Sequence, residues 1–378
     1  MNKKVLSLLL VLTLLFVACG QDTPATEAAT EAGTEATVTE AADTEATETQ
    51  TDDTEEAADD GVAKDFTGRT MNVVATSESY VPLFDKFTEE TGAKVEFISM
   101  SSGEVISRVK AEGGTPMADL WFGGGLDAFM QAKEDGLLEQ TDVPEAADVP
   151  AEFKDEEGYW YSKGLTIVGL LVNLDVLEDL GLDEPVNWKD LTDPQYKNEI
   201  IMSNPAISGT NYAFVKGMLE LFGEEEGWAF FEALNENIPY YSKRGGDPKE
   251  LTNQGEFAIG IIPADKSAHD LTEESNVKVL FGEEGIPWVP EGVAVFKGGE
   301  GADIAQEFIN FMLRTDNQEM IAEIDGKDGS QMVKPGVDGF ALNVPAEKFV
   351  EQDLSTFGTQ REAILERFTS MMGDKAQE

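Results

Sequence analysis

Ser101-Ser102-Gly103-Glu104 and Ser208-Gly209-Thr210 each set hydroxyl side chains beside a glycine where a helical pattern begins. A helix start offers free backbone N–H groups and the positive end of the helix dipole, a common seat for phosphate or carboxylate. Lys243-Arg244-Gly245-Gly246 adds a guanidinium next to two glycines, which permits close backbone approach and bidentate contact with an oxyanion. Each run also has a plainer use, the first two as N-caps worth about 1 kcal/mol and the third as a solvated turn. Two such helix starts on opposite sides of a cleft would grip an anion from both sides.

Other residues allow other chemistry. Trp121 and Phe122, followed by Gly123-Gly124, serve either as core or as a wall on which a ligand stacks. Glu78, Glu104 and Asp265, with aromatic faces, would suit a cationic solute such as thiamine or a polyamine. Carboxylates are so abundant in this chain that their presence in loops discriminates little. The lone His269 follows Asp265 closely and serves either a ligand hydroxyl or the surface. Tyr240-Tyr241 raises Fe(III), because phenolate oxygen suits a hard trivalent ion. Adjacent residues on a strand face opposite ways, which disfavours both tyrosines reaching one ion. With one His and one Cys in 378 residues there is no intramolecular disulfide and little room for a His-rich metal site. No Gly-x-Ser-x-Gly, phosphate-binding loop or metal-ligand spacing occurs, so neither enzyme nor cofactor is expected.

The chain carries 74 acidic and 27 basic side chains, a formal net charge of −47, which opposes binding to nucleic acid and to anionic lipid headgroups. Residues 1–18 pair Lys3 and Lys4 with an apolar stretch that is short for a bilayer span and shaped like a signal peptide. Phe16-Val17-Ala18-Cys19-Gly20 resembles the lipobox of bacterial lipoproteins, with Phe16 in place of the customary Leu. On that likeness Cys19 becomes the lipidated first residue and ties the protein to the membrane. Residues 21–65 hold 15 acids and one base and no aromatic, so 19–65 is expected to be the lipidated cysteine and a disordered acidic tether. The body, 66–378, keeps 59 acids against 24 bases, a net of −35, and is long enough for two domains.

The elements that must position these residues follow from periodicity. Met71–Ala75 reads as a strand, Tyr80, Phe84 and Phe87 as a helix closed at Gly92, and Lys94–Ile98 as a second strand. Ser102 is placed to cap a helix stopped by Gly113-Gly114, and Asp119–Phe122 is a third strand turned into a helix by Gly123-Gly124-Gly125. Strands alternating with helices predict a parallel sheet, with ligands at the carboxyl ends of its strands. The pattern restarts at Glu199–Met202, a helix from Ser208 to Gly223, strands at Ile238–Tyr241 and Phe257–Ile262, and a helix over Pro248–Asn253. Gly164–Asn173 reads as an apolar crossing between the units, and Glu291–Phe296 as the return.

The ordered set Ser101-Ser102-Gly103-Glu104, Ala118-Asp119-Leu120-Trp121-Phe122-Gly123-Gly124, Ser208-Gly209-Thr210, Gly255-Glu256-Phe257-Ala258-Ile259-Gly260 and Glu291-Gly292-Val293-Ala294-Val295 resembles the extracellular solute-binding proteins of ABC importers. The nearest branch holds iron(III)-, sugar-phosphate- and aminoethylphosphonate-binding members, and the likeness spans residues 70–345. No single motif is diagnostic; order and spacing carry the match. It implies an α/β, two-lobed type II periplasmic-binding-protein fold with a hinge and an interlobe cleft, delivery to ABC permease subunits, and no catalysis. Lobe 1 is expected over 66–168 plus 289–345, lobe 2 over 169–288, and a C-terminal helical segment over 346–378. Iron-binding members carry paired tyrosines shortly after the Gly-Glu-x-x-x-Gly strand, where this chain has Ile262–Asp270 without one. The expected ligand set is Ser77, Glu78, Ser101, Ser102, Gly103, Trp121, Gly123, Gly124, Ser208, Gly209, Thr210, Arg244, Gly245 and Asp265. The expected protein is a lipid-anchored monomer on the extracytoplasmic face that captures a small anionic, phosphorylated solute. Fe(III) or a cationic solute is the alternative.

Overall fold

In the computed structural model, which describes residues 64–113, 115–340 and 344–376, β1 (Thr70–Ala75) is the centre of a parallel set. The expected leader, Cys19 and nearly all of the tether lie outside those residues. Helix α1 (Val81–Thr91) connects β1 to β2 (Lys94–Ser99), and α2 (Ser102–Ala111) connects β2 to β3 (Leu120–Gly125). β1 pairs in parallel with both β2 and β3. Leu83, Phe84 and Phe87 form the buried stripe of α1, and Gly92 ends it at φ 73°, its N–H donating to the Thr88 carbonyl.

After α3 (Leu126–Glu134) comes β4 (Tyr161–Asn173), whose 13 residues are almost all buried. Its first part, Tyr161 to Ile167, pairs with the later strand at Trp288–Val295, while Val168 to Val172 pairs with the strand at Ile259–Pro263. β4 therefore belongs to both halves of the sheet. A continuous apolar run is what a strand covered on both faces requires.

Beyond it, α4 (Leu174–Leu180) leads to β5 (Ile200–Ser203), α5 (Gly209–Phe222), α6 (Glu224–Asn235) and β6 (Tyr241–Ser242). Then follow α7 (Asp247–Asn253), β7 (Ile259–Pro263), α8 (Lys266–Glu274), β8 (Val277–Leu280) and β9 (Trp288–Val295). α9 (Ala302–Met312), α10 (Thr315–Asp325), α11 (Thr356–Thr359) and α12 (Arg361–Met372) complete the chain. The strand order is β2-β1-β3-β9-β4-β7-β5-β6, with β8 on β4. β5 is parallel to β6 and β7, so each half presents parallel strand ends, and antiparallel β4 and β9 join the halves.

Phe84, Phe87, Phe122 and Phe308 pack edge to face or tilted in the core of the first half. Phe214, Phe231 and Phe368 do the same in the second. The C-terminal segment touches both. The Tyr212 hydroxyl donates to the Phe357 carbonyl at 2.8 Å, and Asn204 donates to the Ala376 carbonyl at 2.8 Å. On the other side Arg361 Nε donates to the fully buried Asp127 of α3 at 2.7 Å.

Three local expectations change. Ser101, not Ser102, is the N-cap of α2, because its extended backbone (φ −75°, ψ 156°) leaves Ser102 as the first helical residue. β3 runs through its glycines to Gly125, with φ of 87° and 105° at Gly123 and Gly124 and a register shift against β9. Only Gly readily adopts such angles inside a strand. The strand expected over Ile238–Tyr241 shrinks to Tyr241–Ser242, since Pro239 cannot donate to a ladder.

Candidate interlobe binding site

The carboxyl ends of both parallel sets face one cavity of about 580 Å³, a size suited to a small organic solute. One wall holds Thr76, Ser77 and Ser79 after β1, Ser99 to Ser102 between β2 and α2, and Gly124-Gly125 at the end of β3. The opposite wall holds Ser208, Gly209 and Thr210 at the start of α5, Arg244 to Gly246 after β6, and Asp265 after β7. The floor comes from Tyr80, Thr166 on β4, Glu291 on β9 and the end of α10.

At α2, Ser101 donates to Glu104 Oε2 from its backbone N at 2.9 Å and its hydroxyl at 2.6 Å, so Glu104 is held within its own helix. At α5, the Ser208 hydroxyl oxygen accepts from Asn211 N and Nδ2 at 3.4 and 3.2 Å, leaving its hydrogen available to the cavity. Arg244 is exposed, and its carbonyl accepts from the Ser203 and Ser242 hydroxyls at 2.9 and 3.0 Å, which fixes its backbone. Among the described residues its guanidinium has no carboxylate oxygen within 4.0 Å. Asp265 caps α8, accepting from Ala268 N at 2.9 Å, and pairs with Lys249 at 3.3 Å.

Of the residues expected from the sequence to bind ligand, Ser77, Ser101, Ser102, Gly124, Ser208, Gly209, Thr210, Arg244, Gly245 and Asp265 line the cavity. Four expected residues do not. Trp121 is buried in the core, stacked on Phe129 and Phe296 at centroid distances of 4.0 and 5.7 Å. Glu78 is exposed in the short turn that Ser77 caps. Gly123 lets β3 lie against Thr76, where a Cβ would come within 2.7 Å of the Thr76 hydroxyl. Gly103 gives its N–H to the Ile207 carbonyl at 3.2 Å, from the first half to the second, and a Cβ there would lie 2.1 Å from the Ala206 carbonyl oxygen. Its role is to let two backbones touch.

His269 is half-buried outside the lining; burial lowers its pKa against the pull of Asp265 and Asp270. Tyr240 is exposed, Tyr241 is buried with its hydroxyl on Asn235 Oδ1 at 3.0 Å, and neither lines the cavity.

Sequence reasoning missed a charged cluster in the floor. Lys163 of β4 is fully buried, donates to Asp325 Oδ2 at 2.6 Å and is ion-paired with Glu291. Lys327 lies 3.2 Å from Glu291 and 3.5 Å from Asp325, and donates to the Leu165 carbonyl at 2.9 Å. The Tyr80 hydroxyl donates to Asp325 Oδ1 at 2.7 Å, and Thr166 bonds Glu291. Burial disfavours the charge on Lys163, yet Asp325 and Glu291 outweigh it and hold the ammonium well above the ordinary lysine range. Burial likewise opposes ionisation of Glu291, but Lys163 and Lys327 keep it below the usual carboxylate range. For Tyr80, burial and then Asp325 push the phenol up, so it stays a neutral donor. A lysine inside the apolar run of β4 was the available signal, since a charge buried in a strand demands a partner.

A family model described as bacterial extracellular solute-binding protein matches residues 115–348, more than half of the chain. An uncharacterized protein of Haemophilus influenzae is 32% identical over 239 residues, 62% of this chain and 69% of its own length. A probable ABC transporter periplasmic-binding protein of Sinorhizobium fredii is 29% identical over 58% of this chain and 62% of its own. Among solved structures, the periplasmic binding protein AfuA of Actinobacillus pleuropneumoniae, with fructose-6-phosphate bound, has a TM-score of 0.74 at 25% identity, covering 81% of this chain and 99% of that one. The two-lobed arrangement described above is that of these binding proteins, with the cavity between the strand ends of the lobes. The chain belongs to the bacterial extracellular solute-binding proteins, on their ABC-importer branch, a family that binds solutes and is not enzymatic.

Proposed function

We propose that this solute-binding protein captures a small anionic organic solute, phosphorylated in the favoured case, outside the cell membrane and hands it to ABC permease subunits, acting as a monomer anchored through a lipid on Cys19. The observation that carries the ligand class is Arg244, a cavity cation without a carboxylate partner among the described residues, set across from the start of α2 and beside that of α5. The start of α5, with Gly209 and Thr210 in the cavity, and the Arg244 guanidinium together supply N–H donors and positive potential that an oxyanion completes, whereas at the start of α2 the Gly103 N–H is already given to the Ile207 carbonyl and the Ser101 N–H to Glu104. The relative AfuA was solved with fructose-6-phosphate, in keeping with this reading. A cationic solute is less well served, because Glu104 is held by Ser101 and Asp265 by Lys249 and its cap. Fe(III) held by paired tyrosines is disfavoured by the positions of Tyr240 and Tyr241 outside the cavity.

A thermal-shift panel of fructose-6-phosphate, 2-aminoethylphosphonate, citrate, thiamine, spermidine and Fe(III) tests the class. A ligand at a hundred times its dissociation constant adds about 2.7 kcal/mol of stability. Anions are expected to raise Tm and Arg244→Ala to weaken their binding by roughly 10- to 100-fold, the scale of a hydrogen bond to a charged group. Thr210→Ala should weaken it less. A shift produced by cations alone sinks the proposal.

A further inference from the structure

We propose that the Asp127–Arg361 ion pair is a latch between the two halves: Arg361, carried by the C-terminal segment, is a positioning residue that holds the cavity walls together and so sets how readily the protein closes on a solute. The inference is independent of the solute's chemistry. Arg361 opens α12, and α12 is fastened to the second half. Phe368 packs on Phe231 and Tyr241, the Arg367 guanidinium lies 4.6 Å from the centre of the Trp228 ring, and Lys375 donates to the Asn235 carbonyl. Lys216 of α5 donates to Gln360 Oε1 at 2.9 Å, one residue before Arg361. Asp127 belongs instead to α3 of the first half, two residues beyond Gly125 in the cavity wall. The pair therefore bonds one half to the other.

Its setting separates a latch from a fold staple. Asp127 is 0% exposed; its Oδ2 accepts from Arg361 Nε at 2.7 Å, while its Oδ1 has no hydrogen-bond partner among the described residues. The same guanidinium donates to the Ala206 carbonyl at 3.4 Å and lies 5.8 Å from the centre of the Tyr212 ring. Ala206 and Ile207 are where Gly103 of the first half meets the second, so the pair backs the seam at which the cavity walls touch. Beside it the seam is open: a groove of about 750 Å³ runs between α12 and the α2–α3 wall, lined by Lys110, Gln131, Asp135, Glu362 and Glu366. Water enters along that groove as the halves part and hydrates both charges. A buried pair roughly breaks even between desolvation and attraction, whereas one charge left alone in a buried seam is strongly unfavourable. Losing one partner thus penalises the joined arrangement and leaves the parted one nearly untouched, and losing both restores the balance. A staple would lower stability without moving the halves.

Double electron–electron resonance between nitroxides on Glu89→Cys of α1 and Glu232→Cys of α6, both exposed positions, reads the separation of the halves without any ligand. The full chain carries Cys19→Ser as well, so the two introduced thiols are the only ones. With the pair intact, a short-distance population matching the arrangement described above should appear beside a longer one. Asp127→Asn and Arg361→Met should each lower the short-to-long ratio roughly ten-fold or more, and the double variant should return to within about three-fold of the starting ratio, the non-additivity of a coupled pair. Arg361→Lys, which keeps the charge but loses the Nε–H, stands in for a variant that does not fold and should lower the ratio by about three-fold. An unchanged distance distribution in the single variants, whatever happens to Tm, makes the pair a staple and overturns the latch. Equal parting in the single and double variants also overturns it, as does a long separation alone while the pair is intact.

Discussion

At the scale of single residues, the site divides by how its members are held. Arg244, Ser208 and Asp265 sit in turns and caps, where local backbone geometry puts them in place, and such runs are recognisable from order alone. Lys163, Glu291, Asp325 and Lys327 come from three segments and meet only in the folded chain. The low pKa of Glu291 and the high pKa of Lys163 fix the sign of a pH effect. The glutamate's contribution is complete above its unfolded pKa of about 4.3 and lost as pH falls through its lower folded value; the lysine's is complete below about 10.4 and lost as pH rises through its higher folded value. Tm should be insensitive to this cluster through neutral pH and fall in acid, and Glu291→Gln should flatten the acid limb. A variant whose acid limb matches the unaltered protein, measured by calorimetry from pH 7 to 3, would show that the pair contributes nothing.

At the scale of elements, the starts of α2 and α5 do more than cap. Gly103 and Gly209 bring the lobes into backbone contact: a Cβ on Gly209 would lie 2.7 Å from Gly125 N. Gly103→Ala must push Ala206 and Ile207 away, and the lobes with them. A weaker affinity by about ten-fold is expected, with a larger radius of gyration in ligand-saturated scattering and little change in the far-UV spectrum. Unchanged affinity and unchanged scattering would mean that the contact is not part of closure. The β1-α1-β2-α2-β3 series was legible because alternation and a 3.6-residue stripe agree with its pairing. The glycine end of β3 was not, because three glycines look like a turn until β9 supplies a partner. β8, four residues long, carries too little pattern to read alone.

At the scale of the molecule, two halves joined through β4 and β9 follow from apolar crossings that the sequence shows plainly. Which lobe the last helices would join was not legible, since that depends on Arg361 finding Asp127 and Phe368 finding Phe231. The floor's internal neutralisation has a kinetic consequence. With its lysines and carboxylates balanced, the floor projects almost no field beyond the cavity mouth, and the body around it carries a net −35. A negatively charged solute therefore approaches uphill until Arg244 is within a Debye length, about 10 Å at 0.1 M salt. Stopped-flow association of the phosphorylated ligand should speed up as ionic strength rises, the reverse of electrostatic steering. Capture would then be fastest in a salty exterior, and the dissociation rate would set how long each solute is held.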